Sequence, residues 1–187
     1  ELKICVTGGA GYIGSVLVPM LVDKGHNVTV LDNFLYAQAT LANLCRFPNF
    51  DIYRVDCRDI NAVRPHLKSA DVVIPLAALV GAPACDKNPV DAFSLNLEAQ
   101  VYLIRALSKD QLCIMPTTES VYGKNAEICV EDTPCNPLST YGKHKLIVEQ
   151  ELLSRERSVS LRLATVFGMS PRMRIDLLVN DFTWRAL

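Results

Sequence analysis

The first fourteen residues constrain the chain most: an apolar β-branched run, Leu2 to Thr7, feeds Gly8-Gly9-Ala10-Gly11-Tyr12-Ile13-Gly14 and then a helical stretch. Glycine at 8, 11 and 14 allows a tight strand-to-helix turn, an open backbone and close packing of helix on strand. Further β-branched runs follow at helix-length intervals: Asn27 to Leu31, Asp51 to Val55, Asp71 to Leu76, Gln111 to Thr117 and Val159 to Val166. Several are apolar nearly throughout, which predicts strands buried on both faces and hence a doubly wound parallel α/β sheet. Helices are expected over Gly11 to Lys24, with Gly25 as its C-cap and Pro19 as a kink, over Val90 to Leu107, over Ser139 to Arg157, and from Ile175 onward. Gly123 to Pro137, with three acids and two prolines, reads as an irregular loop.

The 187 residues are 50% hydrophobic and 21% charged, with a net charge of −1. That composition excludes disorder and gives no basic footprint for nucleic acid. No apolar run reaches the roughly 18 residues that cross a bilayer, so no membrane partner is expected. Without a basic leader, the expected compartment is the cytoplasm. Cysteines 5, 45, 57, 85, 113, 129 and 135 are odd in number with no C-x-x-C pair, and read as reduced thiols. His26, His66 and His144 are scattered, so no metal site is expected.

The glycine spacing, arriving in the order strand, turn, helix and second strand, is that of a Rossmann-type dinucleotide site, with the pyrophosphate at the helix N-terminus. Asp32 ends the second strand 24 residues after Gly8. A carboxylate there accepts from both ribose hydroxyls and repels a 2′-phosphate, which favours NAD over NADP. The alternative is that Asp32 is an ordinary turn residue before Asn33. Asp56 follows the third strand and Leu76-Ala77-Ala78 the fourth, where small residues leave room for a dinucleotide.

Tyr141 and Lys145 stand four apart in a helical segment, hence on one face. An ammonium beside the phenol, with an oxidised nicotinamide ring, would lower the tyrosine pKa so that it acts as a base. Alone, the pair would equally be a surface contact. Thr117-Thr118-Glu119-Ser120 lies just past the fifth strand, at the carboxyl edge where open α/β sheets bind ligands.

Together, Thr7 to Ser15, Asp32-Asn33, Asp56, Leu76-Ala77-Ala78, Asn96, Thr118 before Val121-Tyr122-Gly123, and Tyr141-Gly142-Lys143-His144-Lys145 resemble the extended short-chain dehydrogenase/reductases, in the branch of NAD-dependent nucleotide-sugar epimerases and dehydratases. The resemblance covers essentially the whole chain. It implies tightly bound NAD and a nucleotide-sugar oxidised at carbon 4, with Tyr141 as base, Lys145 as its electrostatic partner and Thr118 as the orienting hydroxyl. It adds Tyr12, Ile13, Asn33, Cys57 and Asn96 to the cofactor-binding residues Gly8, Gly11, Gly14, Asp32, Asp56, Leu76, Ala77, Ala78, Tyr141 and Lys145. Substrate contacts are expected from Glu119, Thr165, Arg172 and Arg174, although the two arginines read equally as solvated loop charges.

Dehydratases and decarboxylases of this kind carry Glu immediately before Val-Tyr-Gly, where this chain has Ser120 and its acid one place earlier. That favours a 4-epimerase or 4-dehydrogenase, with a dehydratase as the alternative. Leu76 to Pro83 and Leu161 to Phe182 resemble a surface-polysaccharide branch that includes GDP-heptose 4-dehydrogenases. Residues 1–170 read as the NAD-binding domain with the catalytic residues and 171–187 as the start of a substrate lobe that is largely absent, so a catalytically silent NAD-binding module is a further reading. Helices 90–107 and 139–157 resemble those through which family members form homodimers.

Overall fold

The computed structural model describes residues 1–124 and 128–187; three residues of the loop expected over 123–137 lie outside the described residues. Six strands, β1 (Lys3–Thr7), β2 (Asn27–Asp32), β3 (Phe50–Arg54), β4 (Val72–Pro75), β5 (Leu112–Thr118) and β6 (Ser158–Leu163), form one parallel sheet in the order β3-β2-β1-β4-β5-β6. The doubly wound architecture is therefore present. The order reverses between β1 and β4, so the chain leaves these strands in opposite directions and a crevice opens at their carboxyl ends.

Alternation along each strand divides the core into two layers. Ile4 and Val6 of β1 pack with Val28 and Val30 of β2 and with Val18 and Val22 of α1 (Gly14–Asp23). Cys5 points the other way, toward Val63 and Leu67 of α2 (Ile60–Lys68) and toward Leu103. Beside that layer, Cys113 and Met115 of β5 meet Val148 and Leu152 of α6 (Thr140–Leu153).

The differences from the sequence expectations have local causes. β6 ends at Leu163 rather than Val166, because β5 pairs only as far as Thr118 opposite Leu163 and then turns away in a 3-10 turn, Glu119–Tyr122. α6 stops at Leu153 rather than Arg157; the Arg155 guanidinium donates to the carbonyls of Ser108, Gln111 and Arg157 and steers the chain into β6. The helix α2, not among the expected helices, carries Pro65 in its interior, and Asp59 caps its start by accepting from the amides of Asn61 and Ala62. After a short helix, α3 (Ala82–Lys87), the segment expected over 90–107 runs as α4 (Pro89–Phe93), a π-helical turn (Ser94–Glu98) and α5 (Ala99–Ala106). The last helix, α7 (Leu178–Ala186), starts three residues beyond Ile175.

Two glycines separate steric from conformational need. A Cβ on Gly14 would lie 2.3 Å from the Gly9 carbonyl oxygen, so helix and turn meet backbone to backbone; Gly25 has open space around it but holds φ +81 one residue past Lys24, which rather than Gly25 is the C-cap of α1. Gly14→Ala should therefore cost several kcal/mol, about 4 or more, as a backbone clash. Gly25→Ala should cost only about 1–2 kcal/mol for the left-handed conformation. Urea unfolding of the two variants checks the contrast.

Candidate active site

The crevice above β1 and β4 is a cavity of about 820 Å³ that runs from the glycine turn to the start of α6. Gly8 (φ +69) could carry no side chain, since a Cβ would stand 2.6 Å from both the amide nitrogen and the Cα of Ala77. Two backbones thus touch in the cavity floor. A Cβ on Gly11 would meet only the Gly8 carbonyl, at 3.1 Å, which leaves the turn open toward the cavity. Tyr12, Ile13, Gly14, Cys57, Leu76, Ala77 and Ala78 also line it.

Asp32 is buried in the wall, where one carboxylate oxygen accepts from the Ala10 amide at 3.0 Å and the other from the Phe34 amide at 2.8 Å. Both the turn role and the binding role survive, because a carboxylate offers about four acceptor positions and two are used. Asn33 lies beside it in the wall.

Two expected contact residues are not in the cavity lining. The Asp56 carboxylate is taken by Arg58 (2.7 Å), which also reaches Asp91 (2.9 Å), and this pairing with Arg58 holds Asp56 down to about pKa 2. Asn96, fully buried in the π-helical turn, accepts from the Leu79 amide (2.8 Å) and donates to the Leu79 carbonyl (2.7 Å). Gln100, one turn on, donates to Ala77 O (2.9 Å) and Leu95 O (3.1 Å). These amides hold the floor of the cavity from below, a role visible only once the extra residue of the π turn aims them at the Leu76–Leu79 segment.

At the other end Thr118, Glu119, Tyr141 and Lys145 share the wall. The Thr118 oxygen accepts from the Ser120 amide (3.1 Å), capping the 3-10 turn, and keeps its own O–H to donate. Ser139 caps α6 in the same way, accepting from Gly142 N at 3.0 Å. Lys145 is buried, donates to Pro116 O (3.2 Å) and stands 6.0 Å from the centre of the Tyr141 ring. The expected lowering of the Tyr141 pKa is not what this environment gives. Burial pushes the phenol up to about 12, with Cys85 and Glu119 adding to it and Arg174 opposing; burial likewise brings Lys145 down to about 8.

A strap of residues 164–177 bridges the two ends. The Tyr12 hydroxyl donates to Gly168 O (2.5 Å) and accepts from Asn180 Nδ2 (2.9 Å), and Ser170 Oγ donates to Tyr12 O (2.7 Å). Arg172 stacks 4.3 Å over the ring of Tyr36, another wall residue absent from the sequence reading. Arg174 is paired with Asp176, and Thr165, Arg172 and Arg174 all face the cavity. Among the described residues, no group of three His, Cys, Asp or Glu is placed to hold a metal ion, and no helix is long and apolar enough to cross a membrane.

Residues 4–183 match the NAD dependent epimerase/dehydratase family. The chain is 28% identical over 179 residues to a UDP-glucose 4-epimerase of Lactobacillus helveticus, covering 90% of this chain and 53% of that protein. It is 30% identical to UDP-glucuronic acid decarboxylase 1 of Arabidopsis thaliana, covering 94% of this chain and 42% of the other. Among solved structures, UDP-glucuronic acid 4-epimerase from Bacillus cereus, in complex with UDP-glucuronic acid and NAD, superposes with TM-score 0.85 at 29% identity, over 96% of this chain and 61% of that one. The chain spans about half the length of the curated relatives it matches.

The buried groups set the alkaline limit of the fold. Burial raises the Cys5, Cys57 and Cys113 thiols from 9.0 to about 12. Their contribution is complete below pH 9.0 and is lost as pH rises through about 12, because the unfolded chain releases those protons first. Lys145 acts oppositely, its buried charge penalising the fold below about pH 8 and ceasing to do so above 10.5. Three thiols outweigh one ammonium, so the melting temperature should fall steeply between pH 9 and 12. Calorimetry across that range checks it, and Cys113→Ala should shallow the slope.

Proposed function

The chain belongs to the NAD dependent epimerase/dehydratase family, and from that premise we propose that it binds NAD and oxidises a nucleotide-activated sugar at carbon 4, as a 4-epimerase or 4-dehydrogenase. One observation carries this reading: Thr118, Tyr141 and Lys145 meet at one end of a single cavity whose other end is the glycine turn and Asp32.

The residues present fit the cofactor. The glycine turn presents bare backbone and the N-terminus of α1 to a pyrophosphate, Ala77 and Ala78 leave room at the centre, and Asp32 has acceptor positions left for ribose hydroxyls. Bound NAD would supply the hydride acceptor and a positively charged ring. Tyr141 would take the proton of the sugar hydroxyl, with Thr118 sharing that proton through its free O–H. Because burial holds the phenol near pKa 12, the reaction needs positive charge beside it, and this chain places two cations there: Arg174, which already opposes the rise, and Lys145, 6.0 Å from the ring centre.

The acid of the 3-10 turn, Glu119, precedes Ser120, and that supports epimerisation or dehydrogenation over a dehydratase. The resemblance of Leu76 to Pro83 and Leu161 to Phe182 to a surface-polysaccharide branch supports a role in making such sugars, with the cytoplasm as the expected compartment. Residues 1–170 would be the cofactor domain and 171–187 the first part of the substrate lobe. Phe93, Tyr102 and Ile147, each about half exposed on α4, α5 and α6, would form the seam of a homodimer. One second reading, an NAD-binding module without turnover, rests on the burial that holds the Tyr141 phenol near 12, far above the range of a working base.

Absorbance at 340 nm during incubation of the NAD-loaded protein with UDP-, GDP- and dTDP-sugars tests the proposal. Reduction with one sugar nucleotide supports it, and Tyr141→Phe should then slow that reduction at least about 100-fold. NADH binding, seen by fluorescence, with no reduction by any sugar would establish the silent module instead. NADPH should bind more weakly than NADH, and Asp32→Ala should narrow the difference.

A further inference from the structure

Glu149 is 2% exposed, yet its carboxylate accepts hydrogen bonds from three different side chains. Its carboxylate accepts from Arg162 Nη2 (2.6 Å) and Nε (3.0 Å), Thr117 Oγ1 (2.8 Å) and Ser160 Oγ (2.7 Å). Arg162 in turn donates to the Tyr122 hydroxyl (3.0 Å) and to Glu131 O (2.9 Å). One ion pair therefore joins α6, β5, β6, the 3-10 turn and the loop beyond it. A buried pair of this kind adds little net stability over apolar side chains of the same size, so its value lies in direction.

The direction is specific. Glu149 follows Lys145 by four residues and Tyr141 by eight, on one face of α6. Lys145 grips the Pro116 carbonyl of β5, and Glu149 grips the hydroxyl of the next residue, Thr117; Thr118 comes directly after. We propose that Glu149, oriented by Arg162, is the positioning residue of the active site: by holding Thr117 it fixes the face of α6 that carries Tyr141 and Lys145 against the strand end that carries Thr118. This rests on the reading of those three residues as the reacting group.

The test uses the whole chain and two readouts. The first is the Lys145 titration by NMR of ¹³C-lysine-labelled protein without NAD. Lys145 faces Tyr141 on its own helix, Cys85 on α3 and the uncharged Pro116 carbonyl on β5. Thr117→Val changes no charge, so if the contact sets the fit of α6 on β5, the Lys145 midpoint moves from about 8 toward 10.5, and Thr117→Ser restores it. Should Thr117→Val fail to fold, Glu149→Gln is read the same way. Loss of a negative charge alone drives the midpoint below 8, whereas loosening drives it up.

The second readout is the rate of NAD reduction by the sugar nucleotide that the wild type accepts. Thr117→Val and Glu149→Gln should lower it about 10- to 100-fold with NADH affinity within about twofold, as expected for misplaced reacting groups. An unchanged Lys145 midpoint in Thr117→Val, or unchanged rates, overturns the inference. If the wild type reduces no NAD with any sugar, the functional reading fails, and the Lys145 midpoint decides the positioning role by itself.

Discussion

The contact of the Gly8 backbone on the Ala77 backbone is the constraint on which the rest of the structure depends. It joins the carboxyl ends of β1 and β4, the two strands between which the sheet order reverses, and a single methyl group at Gly8 would force them apart. Everything that shapes the cavity floor serves this approach. Leu76 N bonds Thr7 O at 2.8 Å, Gln100 holds Ala77, and Asn96 holds Leu79 through both ends of its amide. The floor at this point is consequently built from backbone, with the Asn96 and Gln100 side chains placed behind it.

The far half of the site rests on charge instead. Lys145, Glu149 and Arg162 are drawn into the interior around β5 and β6, and each finds its partners there: a carbonyl for the ammonium, four donors from three residues for the carboxylate, a ring and a carbonyl besides the carboxylate for the guanidinium. Burial by itself would raise the Glu149 pKa, but hydrogen bonds from Arg162, Ser160 and Thr117 outweigh it and the pKa falls. The carboxylate therefore stays ionised next to apolar Val148 and Leu152.

What sequence made legible, and what it hid, follows from the range over which each feature is written. The strands, the glycine turn, Asp32 and the Tyr141–Lys145 pair are local patterns of period two, of glycine spacing or of helical spacing, and the structure has each where those patterns fall. Asp56 and Asn96 were legible as residues but not as contacts, because their partners Arg58 and Leu79 are matters of rotamer and of a π turn that no period announces. The helix α2 is not among the expected helices, although the Asp59 cap just before it was there to be seen. Glu149 and Arg162 stand on a helix and an edge strand, and no local period announces that they pair. The signal was the spacing Tyr141, Lys145, Glu149 on one helical face, read against a strand of otherwise uncharged residues.

The strap anchored on Tyr12 has a consequence for how the molecule breathes. Gly168 and Asn180 are more than 150 residues from Tyr12 in sequence, and through its hydroxyl they are fastened to the same turn that begins the fold. Their attachment depends on the turn: if the turn melts the strap keeps the stacking of Arg172 on Tyr36 but loses its bonds to Tyr12 and Ser15, and if the strap lifts the turn loses those same bonds. The two segments open as one coupled unit, so the amide protons of the turn and of the strap exchange with solvent in step.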